Sequence, residues 1–372
     1  MKKILFISNS ASRTGAPLVL LHFLQWLRKE EKDIAVDMVF LKGGDLMKDF
    51  IEISQNCYDL NKIKNNRLSI SRVYNYALKK MNINNEAIIK RIAKNNYDIL
   101  YANTIVAIPL ASKLKLLSEN NPRLIAHIHE LNTVINECLP AFKKFIPQVN
   151  QFISVSKLVM QNLNDNWGIN PQLNQLLYPF SDRKILNEDK NNNCFEVGAS
   201  GLVQWRKGED LFIQVANYIK TRYPEVKIKF TWVGHIEKWQ QNIIEADLEK
   251  ANLKEVVFFV GEHSNPENYF KNFDVFLLTS REDPFPLVCI EVGKAGIPII
   301  CFENATGTAE ILKKGGGFVV PYIDTVSMAE KLILYYNDSA LRISDGELNK
   351  SNFSKFTIEI VGKNLYNIID RL

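Results

Sequence analysis

The segment Ser280–Glu291 (SREDPFPLVCIE) carries two carboxylates eight positions apart, those of Asp283 and Glu291. It follows an apolar run of strand length, which places Asp283 at a strand end and Glu291 inside the next helix. A carboxylate there can accept two hydrogen bonds from a ribose diol, while free N–H groups at the helix start face a phosphate. In the plainer interpretation, Asp283 is a turn or capping residue and Glu291 lies on a solvated helix face. The specific context favours the ligand site.

The segment Ser200–Gly208 (SGLVQWRKG) places Arg206 and Lys207 side by side just before a predicted helix. Two cations near a helix N-terminus oppose the helix dipole, so helix stability does not explain them. A neighbouring guanidinium and ammonium group suit a diphosphate. A solvated charged turn is the alternative.

The tetrapeptide His127-Ile128-His129-Glu130 ends another predicted strand. In an extended chain His127 and His129 point to the same face. A zinc motif H-E-x-x-H would need a histidine where Thr133 stands, and no D-x-D pair is present, so metal binding is disfavoured. A substrate contact and a structural histidine both remain open.

The loop Ser10–Ala16 (SASRTGA) joins the first predicted strand to the first predicted helix. Its small residues, with Gly15 and Ala16 at the helix start, can bring backbone N–H groups to a phosphate. It lacks both G-x-G-x-x-G and the lysine of a Walker loop, so a nicotinamide fingerprint is disfavoured. An ordinary turn between strand and helix is the alternative.

Charge is distributed unevenly along the chain. Residues 1–190 carry 26 Lys and Arg against 17 Asp and Glu, a net +9, whereas residues 191–372 carry a net −4. Such asymmetry indicates a phosphate-bearing or anionic lipid partner for the N-terminal half. The densest basic stretch is free of acids and contains Lys62, Lys64, Arg67, Arg72, Lys79 and Lys80. It predicts an acceptor or membrane surface, with a solvated helix face as the alternative.

The elements that position these residues alternate between apolar strands and helices, which is typical of parallel β-α-β units. A polar break at residues 183–194 separates two such runs. We therefore expect an N-terminal domain over 1–182 and a C-terminal domain over 195–354, with a helix at about 355–372 packing back on the first. Two doubly wound sheets of this kind would face a deep cleft, with ligands outside the carboxyl ends of their strands.

Length and composition exclude several classes. The chain has 372 residues, of which 46% are hydrophobic and 23% charged, which fits two globular domains. Its five cysteines contain no C-x-x-C pair, so the sequence predicts a reducing cytoplasmic location. No apolar run approaches the about 18 residues of a membrane span. The basic stretch lacks a nucleic-acid-binding module, so nucleic acid is disfavoured as a partner.

These motifs resemble those of retaining glycosyltransferases with the GT-B fold, in the group 1 or family 4 type. The family signature pairs an acidic residue with a glutamate eight positions later, and here D-P-F-P-L-V-C-I-E-V-G-K-A-G-I-P supplies Asp283 and Glu291. Its G-x-x-x-x-x-K-G element is similar to Gly201–Gly208, with Lys207 as the lysine. The histidine of its T-x-H element corresponds to His129, and its N-terminal glycine loop to Gly15.

Two departures accompany the resemblance. Leu202 stands where the family often has arginine, so Arg206 is expected to supply the guanidinium. Pro284 and Pro286 replace two glycines, and proline has no N–H to offer a phosphate. The remaining donor-binding residues implied by the resemblance are Gly15, Ala16, Gly234, Phe285, Pro286, Leu287, Val288 and Glu291.

The resemblance implies transfer of a sugar from a UDP- or GDP-linked donor, without a metal or other cofactor, in bacterial surface polysaccharide assembly. The implied catalytic residues are His129, Arg206, Lys207 and Asp283. Arg206 and Lys207 would stabilise the leaving diphosphate, and Glu291 would hold the ribose. His129 would contact a donor-sugar hydroxyl near the reacting carbon, and Asp283 would either contact donor-sugar hydroxyls or act in positioning. Truncating Lys207 is then expected to affect turnover far more than folding.

The expected acceptor is a glycan or a polyprenyl-diphosphate-linked glycan, bound by the N-terminal domain. Peripheral attachment to the cytoplasmic membrane face would follow from the basic stretch. Two alternatives stay open: a nucleotide-sugar epimerase or synthase of the same fold, and an inactive nucleotide-sugar-binding subunit.

Overall fold

The computed structural model describes residues 2–30, 32–61, 83–185 and 194–372, with the side chains of residues 83–85 excluded. The chain folds into two compact units. The first runs up to Pro179 and includes Ile358–Leu372, and the second is Phe180–Thr357. Each unit contains one parallel sheet with helices packed against it.

The first unit contains a seven-stranded parallel sheet in the order β3-β2-β1-β4-β5-β6-β7. Its strands are β1 (Lys2–Ser10), β2 (Ile34–Lys42), β3 (Asn56–Asp59), β4 (Ile99–Asn103), β5 (Arg123–Ile128), β6 (Gln151–Ser154) and β7 (Asn174–Leu176). Its helices are α1 (Gly15–Lys29), α2 (Met47–Ile53), α3 (Ile83–Ala93), α4 (Ile108–Leu117), α5 (Asn132–Cys138) and α6 (Lys157–Trp167), and the C-terminal helix is α14 (Ile358–Asp370).

The second unit contains a six-stranded parallel sheet in the order β10-β9-β8-β11-β12-β13. Its strands are β8 (Phe195–Ser200), β9 (Ile228–Val233), β10 (Val257–Phe259), β11 (Val275–Leu278), β12 (Ile299–Phe302) and β13 (Gly317–Val320). Its helices are α7 (Glu209–Arg222), α8 (Lys238–Lys250), α9 (Glu267–Phe270), α10 (Leu287–Lys294), α11 (Thr308–Leu312), α12 (Thr325–Asn337) and α13 (Ser339–Phe353).

Both sheets are doubly wound, as the alternation of strands and helices predicts. The strand order reverses between β1 and β4 in the first sheet and between β8 and β11 in the second. The central strands are covered on both faces, which explains their continuous apolar runs such as Ile4–Ile7 and Val275–Leu278. Reversal points of this kind leave an opening at the carboxyl ends of the strands.

The last helix, α14, packs in the first unit against α1. Gly362 lies so close to Trp26 that a Cβ at this glycine would be 3.1 Å from the indole. The ammonium group of Lys2 donates to the carbonyls of Ile369 and Asp370 at the end of α14. A cation at that helix end also complements the helix dipole.

Candidate functional site

The loop after β8 holds Lys207 in place through a glycine that no other residue could replace without strain. A short 3₁₀ turn, Trp205–Lys207, ends at Gly208, which has a φ of 71° and precedes α7. A Cβ on Gly208 would lie 2.1 Å from the carbonyl oxygen of Thr279. The loop therefore packs directly against the end of β11, where the hydroxyl of Thr279 donates to the carbonyl of Lys207 at 3.2 Å.

Two predicted cations converge on one predicted carboxylate. Lys207 Nζ lies 2.5 Å from Asp283 Oδ2, and Arg206 Nη1 lies 3.6 Å from Asp283 Oδ1. Arg206 also donates to the carbonyl of Glu282 at 2.9 Å. Burial by itself would raise the pKa of Asp283, but the charges of Lys207 and Arg206 outweigh it and hold that pKa below its usual value. The three side chains together carry a net positive charge.

The N-terminus of α10 lies just beyond this cluster. Asp283 N–H donates to Ala305 O at 2.8 Å, which fixes the direction of the loop. Pro286 is the N-cap residue, and its side chain makes no capping hydrogen bond. Leu287 and Val288 are thus the first helical N–H groups, and they have no intrahelical carbonyl to bind. An N-terminus of this kind attracts an anion.

Glu291 lies on the inner face of α10 and is only 8% exposed, which excludes the solvated alternative. Its Oε1 accepts the hydroxyl of Ser181 at 2.7 Å, and its Oε2 lies 3.9 Å from Arg183 Nη1. Burial raises the pKa of Glu291, and the nearby Arg183 charge and the Ser181 hydroxyl offset only part of that rise. Neither Ser181 nor Arg183 was found from the sequence, because both lie about 110 residues away along the chain.

Lys294, on α10, binds the chain at both ends of the second unit. Lys294 Nζ donates to the carbonyl of Ser181 at 2.7 Å and to that of Phe356 at 3.0 Å. Phe356 also contacts Phe285, with ring centroids 5.5 Å apart. The ring of Phe285 is buried, and its packing holds the loop that precedes α10 in place.

Gly234 brings the loop after β9 against the loop after β8. A Cβ on Gly234 would lie 2.0 Å from the carbonyl oxygen of Gly201, and one on Gly201 would lie 3.0 Å from Cε of Lys207. The indole N–H of Trp232 donates to that same Gly201 carbonyl at 2.8 Å. Two glycines therefore allow these two loops to meet beside Lys207.

In the first unit, the rings of His127 and His129 contact each other at the end of β5, tilted by 42°. Their ring centroids are 4.2 Å apart, and Nδ1 of His127 is 2.6 Å from the hydroxyl of Tyr101. Burial lowers the pKa of His127 well below its usual value and lowers the pKa of His129 to about 3. Both imidazoles are therefore neutral at pH 7.

Unpartnered polar atoms cluster beside these histidines. Among the buried atoms of the described residues that have no hydrogen-bond partner are Asn9 Oδ1, Thr104 Oγ1, His127 Nε2 and His129 Nε2. These four lie at the carboxyl ends of β1, β4 and β5, which are neighbours in the sheet. Buried polar atoms usually have partners, so this edge is suited to a polar ligand.

Thr104 and Glu130 were not identified from the sequence. Thr104 has a φ of 94°, which is uncommon for a β-branched residue, and such strain concentrates at functional sites. Glu130 Oε2 accepts the N–H groups of Ile105 and His129 at 3.2 and 2.9 Å, so it joins the turn after β4 to the turn after β5. No sequence signal marks a strained threonine.

The predicted N-terminal loop occupies the same edge. Gly15 is the first residue of α1, and no side chain caps this helix end. Asn103 Nδ2 donates to the carbonyl of Ala16 at 3.2 Å, and Asn103 is in register with His127 on β5. Ala16 and the histidines are thus connected through the end of β4.

Two further predictions concern surfaces and metals. The basic residues Lys62, Lys64, Arg67, Arg72, Lys79 and Lys80 lie outside the described residues. Over the described ranges, no three His, Cys, Asp or Glu side chains group so that they could hold a metal ion. Among the helices described, none has both the length and the apolar character to cross a bilayer.

Comparisons with known proteins address the family. Residues 181–350 match the sequence model of the family described as Glycosyl transferases group 1. The chain is 22% identical over 374 residues to an uncharacterized glycosyltransferase of Haemophilus influenzae, covering 96% of this chain and 97% of that protein. It is 24% identical over 319 residues to the O-antigen biosynthesis glycosyltransferase WclY of Escherichia coli, covering 80% and 79%.

Among solved structures, the chain is similar to Anabaena Alr3699/HepE, whose structure was determined in complex with UDP and glucose. The TM-score is 0.81 at 17% identity, and the likeness covers 100% of both chains. These findings confirm the predicted GT-B fold, and the predicted group 1 type is matched over residues 181–350, whereas the family 4 assignment stays a prediction. The matched family segment contains Arg206, Lys207, Asp283 and Glu291.

Proposed function

We propose that this chain, whose residues 181–350 belong to the glycosyl transferases group 1 family, transfers a sugar from a UDP- or GDP-linked donor with retention of anomeric configuration. The acceptor is a glycan or a lipid-linked glycan in bacterial surface polysaccharide biosynthesis, the setting named for the E. coli relative. The observation that carries the proposal is the convergence of Lys207 and Arg206 on buried Asp283, next to the uncapped N-terminus of α10.

Lys207 and Arg206 stabilise the leaving diphosphate. In sugar transfer, the bond between the anomeric carbon and the diphosphate oxygen breaks, and negative charge grows on that oxygen. An ammonium group has three donors, and Asp283 occupies one of them, so Lys207 keeps two for phosphate oxygens. Because Asp283 and the packed loop already fix the ammonium group, it needs little rearrangement during the reaction. Asp283 therefore acts as a positioning residue for Lys207.

The start of α10 completes the anion site. Pro284 and Pro286 have no N–H, so the backbone N–H groups of Leu287 and Val288 are the donors for the phosphate, and the helix dipole supports them. The positive charge for the leaving group comes from the chain itself in this proposal, which makes transfer metal-independent.

Glu291 binds the ribose. Ser181 takes one carboxylate oxygen and fixes the orientation of the group, while the remaining lone pairs can accept two adjacent ribose hydroxyls. In the first unit, we assign His129 to a hydroxyl of the donor sugar. Its ring is neutral, so it can accept or donate a hydrogen bond without bringing a charge.

The anomeric configuration is retained because the acceptor attacks the donor sugar on the same face from which the diphosphate departs. The acceptor oxygen forms the new bond to the anomeric carbon, and its proton passes to the departing phosphate oxygen. This route needs no side chain as a base, which agrees with the lowered pKa values of His129 and Asp283, since a group with a low pKa is a weak base.

The test combines binding and transfer. A thermal-shift panel of nucleotide diphosphates and their sugars is expected to identify UDP or GDP, since a ligand at 100 times its Kd adds about 2.7 kcal/mol to stability. The matching donor, incubated with glycosides and polyprenyl-diphosphate-linked oligosaccharides, should give a product with the anomeric configuration of the donor by NMR.

Other outcomes contradict the proposal in distinct ways. Conversion of the donor without any acceptor would indicate an epimerase or a synthase. Binding with neither transfer nor slow donor hydrolysis would indicate an inactive binding subunit. No shift with any nucleotide would reject the donor site itself.

A further inference from the structure

Trp205 presents an indole on the surface beside the proposed leaving-group site. The residue is 56% exposed, although it belongs to the tightly packed turn that holds Lys207. One side of its ring faces Arg281, whose Cζ is 5.5 Å from the ring centroid. An exposed cation–π contact contributes only about 0.5–1 kcal/mol to stability. The contact with Arg281 therefore does not by itself explain a tryptophan at this exposed position.

The side chain behind the indole is itself fixed. Arg281 donates from Nη1 and Nη2 to the two carboxylate oxygens of Asp210 at 2.8 and 2.7 Å, and from Nη1 to Trp205 O at 2.9 Å. Its side chain is 12% exposed, whereas that of Asp210 is 50% exposed. The indole is therefore held on a rigid support, and the Asp210 carboxylate remains accessible at its edge.

These groups match the chemistry of a sugar ring. A pyranose has a face of C–H groups, which packs on an aromatic plane, and an edge of hydroxyl groups, which bind carboxylates and phenols. Trp205 offers the plane, and the Asp210 carboxylate, held by Arg281, offers hydrogen-bond acceptors near it. A side chain that is already rigid loses little entropy on binding.

We propose that Trp205 and Asp210 form a subsite on the second unit for a sugar ring of the carbohydrate acceptor. This inference rests on the proposed function, because Trp205 directly precedes Arg206 and Lys207, the proposed partners of the leaving diphosphate. A nucleobase could also stack on an indole. We favour the acceptor sugar because the ring is bordered by a half-exposed carboxylate, which suits hydroxyl groups, and the experiment separates the two.

The test uses the full chain saturated with UDP or GDP and saturation-transfer difference NMR with methyl glycosides of glucose, galactose, mannose and N-acetylglucosamine. At least one glycoside should give signals from its C–H face. Trp205→Ala should weaken that binding about tenfold or more, a change of about 1.4 kcal/mol. Asp210→Asn should weaken it about two- to tenfold, the range of one hydrogen bond.

Trp239→Ala is the matched control, since Trp239 is 63% exposed on α8. It should leave glycoside binding within about twofold, and both tryptophan variants should keep the nucleotide affinity of the unaltered chain. Absence of glycoside signals, or equal signals from Trp205→Ala, would overturn the subsite. Loss of nucleotide affinity in Trp205→Ala would assign the indole to the nucleobase and overturn it too. Failure of the unaltered chain to bind any nucleotide would instead contradict the proposed function.

Discussion

Lys207 Nζ and Asp283 Oδ2 are 2.5 Å apart, and their side chains are only 13% and 7% exposed. Lys207 is therefore one half of a buried ion pair as well as the proposed partner of a leaving phosphate. Removing one member of such a pair leaves an uncompensated buried charge. The sequence alone predicts that truncating Lys207 affects turnover far more than folding, but this buried pair means that substitutions here should lower both stability and turnover. The two effects can be measured separately.

Lys207→Ala should lower kcat by about 10²–10³, because a preorganised donor to the leaving group is lost. It should also lower the free energy of unfolding by up to about 3–5 kcal/mol, since Asp283 loses its nearest cation and keeps only Arg206, whose Nη1 is 3.6 Å away. Steady-state kinetics and urea unfolding measure the two changes.

The control for this variant is the double substitution Lys207→Met with Asp283→Asn, which removes both charges. It should regain most of the stability without regaining activity. Recovery of turnover in the double variant would mean that Lys207 acts only by neutralising Asp283.

Gly208→Ala should destabilise the chain by more than the about 1–2 kcal/mol that a left-handed conformation alone costs. The added Cβ would meet the Thr279 carbonyl at 2.1 Å, so the loop must shift and carry Lys207 with it. Gly261→Ala is the matched control: Gly261 has a φ of 80° and nothing within 4 Å of its Cβ position. Equal losses of stability and kcat in the two variants would show that the close packing at Gly208 is unimportant.

Glu291→Gln should change the pH dependence of stability. The raised pKa of Glu291 means that the folded state binds a proton more strongly than the unfolded state does. Stability should therefore fall as pH rises from the ordinary value of about 4.5 through the raised one, and the variant should lack this component. Urea unfolding at pH 4 and pH 7 measures it.

Ser181→Ala supplies the comparison for Glu291→Gln, because it removes a hydrogen bond that lowers the Glu291 pKa. The fall in stability with pH should become larger in this variant. A wild-type stability that rises between pH 4 and pH 7 relative to Glu291→Gln would contradict the assignment.

His129→Asn should lower kcat without moving the pH–rate profile between pH 5 and 8, since a pKa of about 3 keeps the ring neutral there. The native ring stays unprotonated while the unfolded one titrates near 6.5, so wild-type stability should fall as pH drops below about 6.5. This loss of unfolding free energy amounts to up to about 1.4 kcal/mol per pH unit, and it should be absent from His129→Asn. An activity limb near pH 6.5 that the substitution abolishes would refute a neutral His129.

The basic stretch should bind anionic membranes. Replacing Lys62, Lys64, Arg67, Arg72, Lys79 and Lys80 with serine should weaken sedimentation with phosphatidylserine vesicles by about 1 kcal/mol for each residue near the surface. High salt should have a similar effect on the unaltered chain. Wild-type binding that is absent, or insensitive to salt, would leave the stretch as a solvated face.

The sequence located much of the fold and the candidate site because two physical rules operate in parallel sheets. Buried central strands such as β1 and β11 read as continuous apolar runs, so their positions are visible. Ligand-binding residues follow strand ends, which directs attention to Arg206, Lys207 and Asp283. Neither rule gives contacts between distant segments, so the partnership of Glu291 with Ser181 and the burial of the Lys207–Asp283 pair were not foreseen.

Helix α13 shows why polar segments are harder to recognise. The segment that forms α13 is mostly polar in sequence, yet Asp345 and Asn349 lie on the buried face of the helix. Asn349 Nδ2 donates to the carbonyls of Ile297 and Gly316, and Asp345 accepts the hydroxyl of Tyr335. Because polar side chains occupy inward positions, the apolar periodicity that identifies a helix is interrupted. The short edge strands β3 and β7 were missed for a related reason, since three or four residues carry little pattern.

Lys294 connects α10, a helix of only eight residues, to two segments that are distant in sequence. Its ammonium group binds Ser181, just after the chain enters the second unit, and Phe356, just before it leaves. The incoming and outgoing stretches are thus tied to the helix that carries Glu291. Truncating this one side chain would therefore release both stretches from α10 at once.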